Sequence, residues 1–172
     1  MGMERQASTQ SRQRIRLRQK VVLGRWLLLA ITGVSLINLL FLLFKVNYHF
    51  HLSAALPYYL NWLGVKLSEY SSVVGYQVFA GILTAGLVGM YAVCWLFSAK
   101  KPEWLAAGLV MYGIDTLILI VLSFTVVKRP AACVFEILSH LACLYFLWSA
   151  MQSGKALRKM ARRRRVEQEQ AV

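Results

Sequence analysis

The chain has 172 residues, 58% of them hydrophobic and 16% charged, against about 45–50% and about 25% in ordinary soluble domains. That balance excludes a water-soluble globular fold and requires long apolar runs. The net charge of +13 would suggest a nucleic-acid surface if it were spread over one domain, but seven of the 20 basic residues precede Trp26 and seven follow Ser153, so the charge flanks the apolar runs.

Residues 1–25 form a basic segment with Arg12, Arg14, Arg16, Arg18, Lys20 and Arg25 after a Gln- and Ser-rich start. It reads as a cytoplasmic flank whose side chains meet anionic lipid headgroups, with the helix continuing along the membrane surface from Ile15. Residues 26–44, WLLLAITGVSLINLLFLLF, are the first span. The run is too long for a signal-peptide core and lacks a nearby small-residue cleavage site, so it is expected to stay as a membrane helix. Asn38 is its strong hydrogen bonder and is expected to bond to a neighbouring helix.

Residues 45–72 are the one sizeable extramembrane segment, rich in Tyr, Trp and Phe. The stretch after Pro57 is weakly helix-periodic and too short to span. It predicts a short amphipathic helix in the outer interface, or a re-entrant piece packed over the bundle. His49 and His51 stand two apart with no third ligand evident, so no metal site is assigned. The second span covers about residues 73–97, and Gly81, Ala85 and Gly89 make a smooth stripe of small residues suited to close helix approach. The stripe does not say whether its partner belongs to the same chain.

SAKKP at 98–102 marks a turn on the cytoplasmic side, and the third span follows over about 103–127 with Asp115 in its middle. An ionised Asp at that depth costs about 2.5–3.5 kcal/mol on insertion scales, so it needs a partner or a reason. The fourth span, about 131–151, carries Glu136 and His140 on one helical face, and Gly154 is expected to end the helix before a basic tail over 153–172. Counted from the turn near residue 129, Asp115 and His140 differ in depth by about 4–5 Å, while Glu136 lies about 10 Å shallower than Asp115. An Asp115–His140 pair is therefore geometrically reasonable, with Glu136 reaching outward to water or Arg129.

Two readings of Asp115, His140 and Glu136 compete. One is a hydrogen-bonded pin that fixes helix packing; the other is a proton or cation relay, the usual meaning of acids within spans. A Ser139/His140/Asp115 triad is rejected, because adjacent helical residues point about 100° apart. The three cysteines, Cys94, Cys133 and Cys143, lie inside apolar runs without metal-ligand spacing and read as packing residues. No cofactor is implied.

The stretches LSAALPYYLNWLG, LFSAKKPEW, MYGIDTLILIVL and FEILSH resemble small four-span membrane proteins of Firmicutes-type bacteria, over roughly residues 26–155. The resemblance implies a bacterial plasma-membrane location and a four-helix fold, and it supplies no catalytic residues. With both termini cytoplasmic, sixteen Lys and Arg fall inside and four (Lys45, Lys66, Lys128, Arg129) outside, as the positive-inside bias asks. The expectation is an all-α, integral membrane four-helix bundle with a short interfacial helix between spans 1 and 2. It is expected to act as a non-enzymatic accessory or interaction protein, with a membrane-protein partner or with copies of itself, and without nucleic acid. The alternative is a small proton- or cation-coupled transporter using Asp115, His140 and Glu136.

Overall fold

The computed structural model describes residues 2–46, 48, 50, 52–125 and 130–170, and for 2–8, 130–132, 164 and 167 the backbone only. Among the described residues the secondary structure is all helical: α1 Gly2–Leu43, α2 Ala55–Ser71, α3 Gly75–Ser98, α4 Trp104–Thr125 and α5 Pro130–Gln170. Among the described residues, α1, α3, α4 and α5 are long and apolar enough to cross a membrane.

Those four helices pack in the cyclic order α1–α3–α4–α5, with α1 against α5 closing the ring and α1 and α4 on a diagonal. Short links between α3, α4 and α5 make successive long helices run in opposite directions. The buried positions recur at steps of three and four. They are Gly24, Leu28, Ile31, Ser35 and Asn38 in α1; Leu105, Gly108, Tyr112, Asp115 and Leu119 in α4; and Cys133, Glu136, His140, Cys143, Leu147, Ala150 and Gly154 in α5. Heptad spacing of this kind is what keeps one face of each helix toward its partners over many turns.

The seam changes character along its length. Toward the basic chain ends it is apolar, with Leu28, Ile31, Leu105, Cys143, Leu147 and Ala150 in one cluster. There the helices approach closely because of glycine. A methyl on Gly24 would fall on Ala150, one on Gly108 would stand 2.8 Å from Leu28, and one on Gly154 would stand 2.8 Å from Pro102. Toward the other end the same seam carries Ser35, Asn38, Asp115, Glu136 and His140, and the start of α2 is hydrogen-bonded into it.

The short helix expected after the first span is present as α2. α2 packs lengthwise on α3: a methyl on Gly64 would fall on Ala80, and Thr84 Oγ1 donates to the Pro57 carbonyl at 3.2 Å. The α2 N-terminus also contacts α1 and α4. Ser35 lies eight residues inside the end of α1, about 12 Å along the axis, so the chain after α1 folds back into the bundle before α2 begins. The physical reason is that a helix start needs acceptors for its first N–H groups, and the polar seam supplies them.

The expected stop at Gly154 is also corrected. α5 runs through it to Gln170. Gly within a helix costs about 1 kcal/mol relative to Ala, and here it admits Pro102 and Val21 to close contact. At the other connection, Lys100, Lys101 and Trp104 are held by short-range backbone hydrogen bonds, which turn the chain from α3 into α4.

Candidate functional site: a buried polar seat for the start of helix α2

Helix α2 opens poorly on its own. Its N-cap, Ala54, has no side-chain acceptor, whereas Ser, Thr, Asp or Asn would cap the first N–H groups. The missing acceptors come from other helices. Ala54 N donates to Ser35 Oγ on α1 at 2.9 Å. Ala55 N donates to Asp115 Oδ2 at 2.8 Å, and Leu56 N to Asp115 Oδ1 at 2.6 Å. The next residue, Pro57, has no N–H to satisfy. Every donor from 54 to 57 is thus accounted for, and a carboxylate placed on a helix N-terminus also meets the positive end of its dipole.

The segment leading into α2 is held in the same way. Asn38 Nδ2 donates to the Phe50 carbonyl at 2.9 Å and to Ser53 Oγ at 2.7 Å, while Phe50 N donates to Asn38 Oδ1 at 2.8 Å. Phe50 also stacks on Phe41 of α1, with centroids 5.9 Å apart. Asn38 was expected to bridge to a neighbouring helix; it instead bonds to the chain entering α2. Its amide uses both donor and acceptor ends in one place, which is how a buried amide avoids an unmade bond.

Asp115 and His140 come together as their depths predict. His140 Nδ1 stands 3.7 Å from Asp115 Oδ2 and 3.2 Å from Thr116 Oγ1. The Asp115 contact is too long for a hydrogen bond, so the two residues are neighbours and the strong bonds of Asp115 go to the backbone of α2. Thr116 itself bonds back to the Tyr112 carbonyl at 2.7 Å. The Tyr112 ring lies stacked beneath His140, with centroids 4.7 Å apart and planes 16° from parallel. His140 Nε2 makes no hydrogen bond of proper geometry among the described residues, although the ring interacts with the Ser53 backbone.

Glu136 does not reach outward. It is 5% exposed, and the nearby charged and phenolic groups are Asp115, Tyr58 and Tyr59. Arg129, its expected companion, lies outside the described residues, as do His49 and His51. Ser139 is one residue from His140 yet donates to the Phe135 carbonyl at 2.8 Å, turned along its own helix. Among the described residues no group of three or more His, Cys, Asp or Glu side chains is arranged to hold a metal ion. Cys94, Cys133 and Cys143 are buried and free.

Gly81 and Gly89 have no atom within 4 Å of where a methyl would stand, and Ala85 is exposed beside them. The stripe therefore faces outward, and among the described residues the close contact it suits is not made. The glycines that do permit close approach here are Gly24, Gly64, Gly108 and Gly154.

Sequence reading missed Ser35, Ser53, Thr84 and Thr116. Two signals for them were present. One is the three–four spacing of Leu28, Ile31, Ser35 and Asn38, which puts Ser35 on the same face of α1 as Asn38. The other is a helix start, SAALP, with no capping side chain of its own. No family model, curated protein or solved structure matches the chain, so the geometry alone carries the functional argument.

Proposed function

We propose that this is a non-enzymatic multi-pass membrane protein acting as an accessory or interaction subunit, which presents helix faces to another membrane chain or to a second copy of itself. The observation that carries this reading is the use of Asp115. Both of its oxygens are spent on the Ala55 and Leu56 N–H groups, so the carboxylate serves the protein's own architecture. The small-residue face of Gly81, Ala85 and Gly89 is uncovered among the described residues, as an interaction role requires. On this reading α2 dips into the bilayer from the outer side, and both chain ends are cytoplasmic by the distribution of Lys and Arg. The membrane is the bacterial plasma membrane that the sequence resemblance implies.

The test is site-directed cross-linking in native membranes, with Cys94, Cys133 and Cys143 replaced by Ala and a single cysteine introduced as Ala85→Cys. Leu117→Cys on the 65% exposed outer face of α4 is the control. A discrete product at Ala85→Cys, absent from the control, supports the interaction role and gives the partner's mass. Equal or no cross-linking at the two positions counts against it.

A second reading, a small proton- or cation-coupled transporter, is favoured by one feature. Two buried titratable side chains from different spans, Asp115 and His140, stand 3.7 Å apart, with Glu136 one turn from His140 on α5. Purified protein in vesicles with an imposed pH gradient tests it. Cation or proton flux abolished by Asp115→Asn establishes transport; leakage equal to empty vesicles removes it.

A further inference from the structure

The two basic helix ends leave the bundle together. Gly154 of α5 stands against Pro102 in the α3–α4 turn and against Val21 of α1, so at that level α3 and α4 have ended. Residues 2–20 of α1 and 155–170 of α5 continue past it, roughly 24–28 Å of helix each. Trp26, 63% exposed, and Lys100 and Lys101 in the turn mark the headgroup level at this end. α1 runs unbroken along the span axis, so the part before Val21 stands in water beside α5. Half-buried Leu17 and Val21 on α1, with Leu157 and Met160 on α5, continue the seam between the two helices.

The face of α1 opposite that seam is unused. Ile15, Gln19, Val22 and Trp26 recur at steps of four, three and four, and Ile15 and Val22 are 55% and 46% exposed. Trp26 sits in the headgroup layer, and Ile15 lies about 16 Å beyond it along the axis, out of reach of the lipid. At about 100° per residue, Arg18 borders the stripe on one side and Arg12 and Arg16 on the other. Apolar residues at heptad steps between rows of charge are what a helix presents to a partner helix in a coiled coil.

Charge selects the partner. The projecting pair holds thirteen Lys and Arg against three Glu. Among the described residues Arg158 pairs with Glu103, and no ion pair joins Arg12, Arg16 or Arg18 to a carboxylate. A second copy of this chain would set these arginines against their own equivalents, and like charges in contact repel. A nucleic acid would neutralise the arginines but leave Ile15 and Val22 in water. A helix with apolar residues on one face and Glu or Asp along its edges covers both.

We propose that this face of α1 docks an acidic amphipathic helix of a water-soluble partner, whose apolar side chains pack on Ile15 and Val22 while its carboxylates pair with Arg12, Arg16 and Arg18. The surface lies outside the membrane and away from the α3 stripe, so it does not depend on a contact between spans.

The experiment uses the full chain in phosphatidylcholine nanodiscs and a dye-labelled three-heptad peptide with Leu at the heptad positions and Glu beside them, read by fluorescence anisotropy. Empty nanodiscs give the lipid background. Wild type is expected to bind this peptide about tenfold more tightly than a scramble of the same composition, and less tightly at high salt. Ile15→Ser/Val22→Ser and Arg12→Gln/Arg16→Gln/Arg18→Gln should each lower the affinity about tenfold, and the second should also flatten the salt dependence. Arg162→Gln/Arg163→Gln/Arg165→Gln removes as much charge from α5 and should leave the affinity within about twofold. All three variants alter exposed side chains, and an unchanged melting temperature shows that each still folds. No preference over the scramble, unchanged binding in either α1 variant, or an equal loss in the α5 variant overturns the proposal. So does tighter binding of a labelled single-stranded oligonucleotide, which assigns the face to nucleic acid, or self-association abolished by Ile15→Ser/Val22→Ser, which assigns it to a second copy.

Discussion

Asp115 accepts two hydrogen bonds from adjacent backbone groups, and that arrangement sets how it responds to substitution. Asp115→Ala leaves the Ala55 and Leu56 N–H groups buried without acceptors. It should cost about 1–3 kcal/mol, read as a lower melting temperature in detergent. Asp115→Asn keeps one acceptor oxygen and should lose clearly less. A pure relay residue would instead show two variants equally dead in flux and little changed in stability. Asn38 offers a parallel case with no charge. Asn38→Ala removes three hydrogen bonds holding Phe50 and Ser53 and should also cost about 1–3 kcal/mol. His140→Gln should be milder than Asp115→Ala, since its distance to Asp115 is 3.7 Å and the bonds that seat α2 do not pass through it.

At the scale of the helices, glycine separates faces that are in use from faces that are free. Gly64 lies where α2 meets Ala80 of α3, and Gly108 where α4 meets Leu28 of α1. Gly64→Val and Gly108→Val should each destabilise the isolated protein by about 1–3 kcal/mol through overpacking. Gly89→Val meets open space and should leave its melting temperature in detergent within about 0.5 kcal/mol equivalent. If the outward stripe is an interaction face, Gly89→Val should still abolish the Ala85→Cys cross-link. Stability and association are thereby separated in one residue. The long helices were legible from their hydropathy. The extent of α5 was not, because Gly154 carries the same local signal whether it ends a helix or sits at a close crossing.

The molecule has two storeys, an apolar one with helices in close contact and a polar one that holds the start of α2. Cysteine accessibility should report this directly. Tyr70→Cys, on a residue 93% exposed, should react readily with a membrane-impermeant maleimide. Ala55→Cys, 2% exposed, should stay unreactive until the protein unfolds. Introducing Asp115→Ala should make Ala55→Cys reactive while the four long helices remain folded. Reactivity of Ala55→Cys in the otherwise native protein would show that α2 is not seated as described.

The sequence by itself determined the helical class, the four apolar runs and the burial of Asp115, His140 and Asn38. It did so because hydropathy and helical period are local properties, and because a charge in an apolar run has to be dealt with somewhere. Only the tertiary structure decided what deals with it. The acceptor Asp115 and the donors at Ala55 and Leu56 are about sixty residues apart in the chain. An amide N–H carries no sequence signature, so a titratable pair within the spans was visible while the backbone bonds that engage Asp115 were not. For the same reason the stripe of Gly81, Ala85 and Gly89 could be read as a packing face, while its outward direction depended on which side of α3 the other helices had taken.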